Sequence, residues 1–153
     1  MNSIALLQTL LQRSEADRDT ALGVLRQAEA LVQQAQAQAQ QLHDYRGEYD
    51  QRWTTRFRES GTPELLHCHR GFGQRLDHAI HHQDTNAQHL GNRVKQARDV
   101  LLARELRVAG VRKLIERRLL ELQKITHQRE QRSTDEAAQR AYGGGHPLAA
   151  LRT

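Results

Sequence analysis

The chain of 153 residues has the length of one domain, but only 37% of its residues are hydrophobic and its mean hydropathy is −0.80. This composition argues against an ordinary globular core. The net charge of +5 comes from arginines interleaved with acidic residues, a mixture typical of solvated helix faces rather than of one basic block. The abundance of Gln, Ala, Leu and Arg, with only two prolines, favours an all-α protein.

The N-terminal segment MNSIALLQTLLQRSEADRD has no basic residue before its apolar residues, and Gln8, Thr9 and Gln12 interrupt them. It therefore lacks the pattern of a secretory signal or of a membrane span. Cys68 is the only cysteine, so no internal disulfide can form, as in proteins of a reducing compartment. We expect a cytoplasmic protein.

The first predicted element is a long helix over residues 1–59. From Ile4 to Leu42 the apolar positions recur in alternating steps of three and four, which is the heptad pattern of a coiled coil. Ser14 and Arg18 are the weak positions of this seam. The run QQAQAQAQQ continues the pattern, because alanine and glutamine are good helix formers.

A turn is predicted at residues 60–63, within RESGTPELL. Gly61 suits a left-handed C-terminal cap, Thr62 suits an N-cap, and Pro63 suits the first position of a new helix. The second helix is predicted over residues 64–142.

A second heptad seam runs from Phe72 to Ile125 along the second helix. The triple glycine before Pro147 predicts a flexible tail over residues 143–153. Two long amphipathic helices joined by a short turn should fold back on each other. The sequence therefore predicts an all-α, two-helix antiparallel coiled-coil hairpin.

The position of the turn sets the register of this hairpin. It places Tyr49 opposite Phe72 and Gln38 opposite Gln83, with apolar residues facing apolar residues between and beyond these pairs. The first helix ends opposite about residue 118. About 24 residues of the second helix, on the order of 36 Å, therefore extend without an internal partner. We call this stretch, from residue 119 to 142, the overhang.

Four of the chain's few aromatic residues, Tyr45, Tyr49, Trp53 and Phe57, recur at intervals of four and form a stripe on one side of the first helix. They can serve as packing near the turn or as a surface for a partner. A two-stranded coiled coil encloses only its a and d positions, so we expect part of each ring to face solvent. Trp53 and Phe57, nearer the turn, are assigned to holding the turn closed.

The sequence gives little support for a metal site, for an enzyme active site or for nucleic-acid binding. His78 and His82 are spaced to chelate a metal from one helix face, but no carboxylate is placed to complete a site, and we expect neither metal nor cofactor. No catalytic constellation is present and a two-helix hairpin offers no deep pocket, so we expect a non-enzymatic protein. Nucleic-acid binding by the arginines of the second helix stays an alternative, although acidic residues are interspersed among them.

The order and spacing of several motifs resemble the FliJ family of the flagellar type III export apparatus. The resemblance runs from about Leu7 to Tyr142 and includes YRGEY at 45–49, FGQRLDHAIHHQ at 72–83 and REQRSTDEAAQRAY at 129–142. It implies an antiparallel coiled coil similar to the central stalk of rotary ATPases. A stalk protein of a virulence secretion system, which shares this fold, is a further alternative.

The resemblance also implies partners. Members of the family bind the export ATPase FliI and the cytoplasmic domain of the export-gate protein FlhA, and they escort export chaperones. This function would place the chain at the inner face of the cell membrane through the export apparatus. The family's gate-binding positions match Gln38, Leu42, Tyr45, Tyr49, Phe72, Leu76, Ala79 and Gln83, which we call the eight-residue patch. Some members have histidine in place of Gln83.

We further expect the overhang to contact the export ATPase. Its candidate residues combine apolar and basic side chains, and they are Leu119, Leu122, Ile125, Arg129 and Arg132.

Overall fold

The computed structural model describes residues 2–143, except for the side chain of Asn2, and contains two helices in that range. Helix α1 spans Asn2–Glu59 and helix α2 spans Pro63–Gly143. No strand occurs in residues 2–143, and the two long helices pack against each other. The predicted all-α helical hairpin is therefore confirmed. The flexible tail predicted for residues 143–153 lies, apart from Gly143, outside the described residues.

Three residues connect the helices, and their hydrogen bonds define both helix ends. The backbone N–H of Ser60 donates to the carbonyl of Arg56 (3.0 Å), which closes the last turn of α1. The hydroxyl of Thr62 accepts a hydrogen bond from the N–H of Leu65 (3.4 Å), as an N-cap does, and Pro63 takes the first helical position.

The predicted left-handed conformation of Gly61 is wrong, since no glycine among residues 2–143 has a positive φ. The structure gives Gly61 a different role. A Cβ added at this position would lie 3.2 Å from a ring carbon of Phe57 and 3.2 Å from the Phe57 carbonyl oxygen. The missing side chain lets the Phe57 ring lie against the turn, and backbone conformation plays no part in the choice of glycine.

Residues 14–106 form one unit, in which small side chains fill the seam. Leu25, Val94 and Ala97 form a buried cluster, and Ala28, Val32 and Leu101 pack against it. Ser14, a predicted weak position, is only 2% exposed and so lies within the seam. Most of the other buried residues of this unit are alanines: Ala21, Ala35 and Ala39.

The other unit combines the beginning of α1 with the later part of α2, and its described residues are 2–13 and 107–143. Val108 and Val111 are buried there and Ile115 is half-buried. Every residue from 116 to 143 is exposed. Burial in this unit therefore ends near the position where the predicted overhang begins.

Candidate functional site

Four rings from the two helices meet near the turn and form what we call the aromatic cluster: Tyr49, Trp53, His69 and Phe72. The ring centroids of Tyr49 and Phe72 are 4.8 Å apart, and Tyr49 stacks on His69 at 5.2 Å. Trp53 lies 4.6 Å from His69 and meets Tyr49 edge-on at 6.2 Å. All four rings are half-buried, so each contributes both to packing and to the surface.

The sequence patterns did not identify His69 as a member of this cluster, because it lies after the aromatic stripe of α1 and before the second heptad seam begins at Phe72. The register that sets Tyr49 opposite Phe72 also brings Trp53 close to residue 69, and this was the available signal. Within residues 2–143, no three His, Cys, Asp or Glu side chains form a group able to hold a metal ion.

Replacing His69 with phenylalanine is expected to stabilise the fold. The Nδ1 atom of His69 is buried and has no hydrogen-bond partner within residues 2–143, whereas a phenylalanine ring keeps the stacking area and removes the unsatisfied polar atom. A buried unsatisfied group costs about 1–3 kcal/mol, so the free energy of unfolding in urea should rise by about 1 kcal/mol or more. The matched control is His67→Phe at an exposed position, which should give no gain. A fall in stability for His69→Phe would contradict this role.

The eight-residue patch adjoins the cluster and draws on both helices. Tyr49 and Phe72 are in ring contact, as given above, and the amide of Gln83 donates hydrogen bonds to the Gln38 side-chain oxygen (3.1 Å) and to the Ala35 carbonyl (3.3 Å). Both pairs match the predicted register. They enclose the other four members of the patch along the two helices: Leu42, Tyr45, Leu76 and Ala79.

The members of the patch differ in accessibility. Tyr45 is 46% exposed and makes no ring contact with any described residue, so its side chain is available. Gln38 and Ala79 are exposed as well. Leu42, Tyr49, Phe72 and Gln83 are half-buried. Leu76 is buried, so little of its side chain is available to a partner.

Arg46 joins the helices beside this patch through ion pairs that sequence reasoning did not identify. Its Nε donates to Asp77 of α2 (3.1 Å) and its terminal nitrogen donates to Asp50 of α1 (2.9 Å). A Cβ on Gly73 would lie 3.0 Å from the guanidinium. Gly73 therefore provides the space for Arg46 to reach Asp77, in addition to the loosening of the helix that its low propensity implies.

Changing Arg46 to methionine should lower the free energy of unfolding by about 1 kcal/mol, because it keeps most of the stem and removes both ion pairs. The loss should shrink at high salt, since these pairs are partly exposed and salt screens them. Urea unfolding at low and high ionic strength measures this difference. Arg52→Met is the matched control, since Arg52 is exposed and has no ion pair within residues 2–143. Equal stability of the two variants would contradict the bridging role.

The overhang presents an uncovered face of α2. Leu119, Leu122 and Ile125 are 47%, 43% and 45% exposed, and Arg129 and Arg132 are exposed too. With Arg118 as a further member, Leu122, Ile125, Arg129 and Arg132 continue the steps of three and four that Val108, Val111 and Ile115 begin. The seam therefore runs on past its buried part and ends in two arginines.

The family model of the flagellar FliJ protein matches residues 4–146 of the chain. The chain belongs to the FliJ family. The match takes in nearly all of α1 and the whole of α2, so the resemblance predicted from short motifs is confirmed over both helices. Membership of the FliJ family implies a role in flagellar type III protein export, in which the family is a non-catalytic component of the apparatus. Searches of curated proteins and of solved structures gave no match.

Neither helix, over residues 2–143, contains a stretch apolar enough to cross a membrane.

Proposed function

We propose that this chain couples the export ATPase to the export gate and escorts export chaperones, as the FliJ resemblance implies. One observation carries the proposal. The positions that match the family's gate-binding residues come from two helices, and the Tyr49–Phe72 and Gln38–Gln83 contacts bring both halves together. A surface assembled in this way depends on the hairpin register as well as on the residues themselves.

The gate contact uses the accessible members of the patch. Tyrosine rings with one apolar and one polar side are frequent anchors in protein interfaces, and Tyr45 offers nearly half of its surface. The exposed edges of Tyr49 and Phe72 extend the same surface. Leu76 offers little surface to the gate, because it is buried.

The ATPase contact uses the overhang. A single helix that exposes Leu119, Leu122 and Ile125 on its surface gains free energy when a partner covers these side chains. Arg129 and Arg132 add positive charge to the same face, which would favour a partner surface with acidic groups. Binding to the gate would hold the chain at the inner face of the cell membrane, in the cytoplasm.

The test is direct binding of the full chain to the purified cytoplasmic gate domain and, separately, to the purified export ATPase. Both complexes are expected in pull-down experiments at physiological salt, and added chaperone should be retained with the chain. The coupling role requires both complexes, so the absence of either one would overturn it.

A further inference from the structure

A groove between α1 and α2 runs along one side of the unit formed by residues 14–106, away from the eight-residue patch. Ala21 and Ala97 are buried at its floor. Its walls include Val24, Leu31 and Val100, which are 54%, 41% and 49% exposed. Because the floor residues are small, the groove is deeper than a leucine seam would leave it. Its apolar walls face solvent, and this arrangement is costly unless another surface covers them.

The groove repeats with the period of a coiled coil. On α2 its residues include two pairs spaced by seven, Arg93 with Val100 and Ala97 with Arg104, and on α1 it extends from Asp17 to Leu31. This length corresponds to about 21 Å, or four helical turns. Heptad-spaced walls along both helices are the shape that accepts the side chains of a third helix.

The charges on the walls indicate which kind of helix fits. Arg93 and Arg104 lie on the α2 wall, and neither has an ion pair within residues 2–143. Asp17 is the acidic residue among those lining the groove. Two copies of this chain joined through their grooves would bring together more arginines than carboxylates. A partner helix with its own acidic side matches the α2 wall better.

We propose that this groove binds an amphipathic α-helix of an acidic partner. The helix carries an apolar stripe at heptad spacing, which inserts between Val24 and Val100. It also carries two carboxylates eleven positions apart, which pair with Arg93 and Arg104. This binding is independent of the gate and ATPase contacts and adds a third surface to the chain.

The probe is a synthetic peptide of about 18 residues, held helical by side-chain staples on its outer face, with apolar heptad positions and glutamates at the two matched positions. A second peptide has lysines in their place. Fluorescence anisotropy measures the binding of each labelled peptide to the full chain. The variants are Arg93→Glu with Arg104→Glu for charge, and Val24→Ser with Val100→Ser for the apolar walls. Arg26→Glu with Lys95→Glu makes the same change in net charge at exposed residues outside the groove.

The acidic peptide is expected to bind at least about tenfold more tightly than the lysine peptide. Charge reversal at Arg93 and Arg104 should invert this preference, the Val→Ser pair should weaken both peptides, and the control pair should preserve the preference for the acidic peptide. Equal affinity for the two peptides, or no saturable binding of the acidic one, would overturn the proposal. A dimer in sedimentation velocity that the Val→Ser pair dissociates would assign the groove to a second copy and would overturn it too. Gate and ATPase binding, measured on the same variants, should be retained, so that failure here is distinct from failure of the coupling role.

Discussion

Replacing Tyr45 and Phe72 together with alanine is expected to lower the affinity of the chain for the export-gate domain by about 100-fold or more. Truncation of an aromatic anchor at an interface costs about 2 kcal/mol or more, and two such losses act on the same surface. Loss of the Phe72 ring also removes the neighbour that holds Tyr49 at 4.8 Å. Biolayer interferometry with the immobilised gate domain measures this change directly.

Two single substitutions separate binding from stability. Tyr45→Ala removes an exposed ring that makes no ring contact within the described residues, so it should weaken gate binding by about tenfold or more at little cost in stability. Phe57→Ala is the matched control, because Phe57 is 43% exposed, lies on the same helix and is outside the eight-residue patch. Circular dichroism must confirm that each variant is folded. If Phe57→Ala reduced gate binding as much as Tyr45→Ala does, the assignment of the patch would be wrong.

Ending the chain after Arg118 is expected to abolish binding and stimulation of the export ATPase while gate binding is kept. All of residues 119–143 are exposed, so the truncation removes no buried residue from the part of the chain that the structure describes, and the thermal midpoint of the remaining structure should change by only a few degrees. Pull-down experiments and the rate of ATP hydrolysis test the two parts of this expectation. ATPase binding that persists in the truncated chain would contradict the role of the overhang.

A finer variant keeps the helix and changes only its apolar face. Serine at Leu119, Leu122 and Ile125 should weaken ATPase binding strongly, because these side chains provide the area that a partner covers. The matched control is serine at Leu102, Leu106 and Leu114, which are 55%, 64% and 48% exposed and lie outside the overhang. Equal losses in the two variants would indicate a general effect of surface leucines and would remove the specific assignment.

The register of the hairpin could be predicted from the sequence because two independent signals fix it. The heptad seams determine which face of each helix is buried, and the Thr62–Pro63 helix start locates the turn. Together they placed Tyr49 opposite Phe72 and Gln38 opposite Gln83, and both pairs are in contact. Ser14 fits this reasoning as well, since it keeps its seam position although it is polar.

The side-chain interactions beside the seam could not be predicted in the same way. Heptad patterns do not reveal that the His69 ring packs against both Tyr49 and Trp53, because histidine is usually read as a polar surface residue. The space that Gly73 leaves for Arg46 depends on the distance between the backbones of α1 and α2, which cannot be predicted from a local sequence pattern. The prediction of a left-handed Gly61 was wrong for a related reason. A glycine can be required by a positive φ or by the lack of space for a side chain, and only the structure distinguishes the two.

The coupling role is tested most directly by asking whether one chain joins the two machines. The gate domain is immobilised, the full chain is added, and the export ATPase is then applied. Capture of the ATPase should require the chain. It should be lost with the double variant Tyr45→Ala and Phe72→Ala, which does not bind the gate domain, and with the chain ending at Arg118, which does not bind the ATPase. If the ATPase instead displaced the chain from the gate, or was never captured, the two contacts would not form together and the proposed coupling would be contradicted.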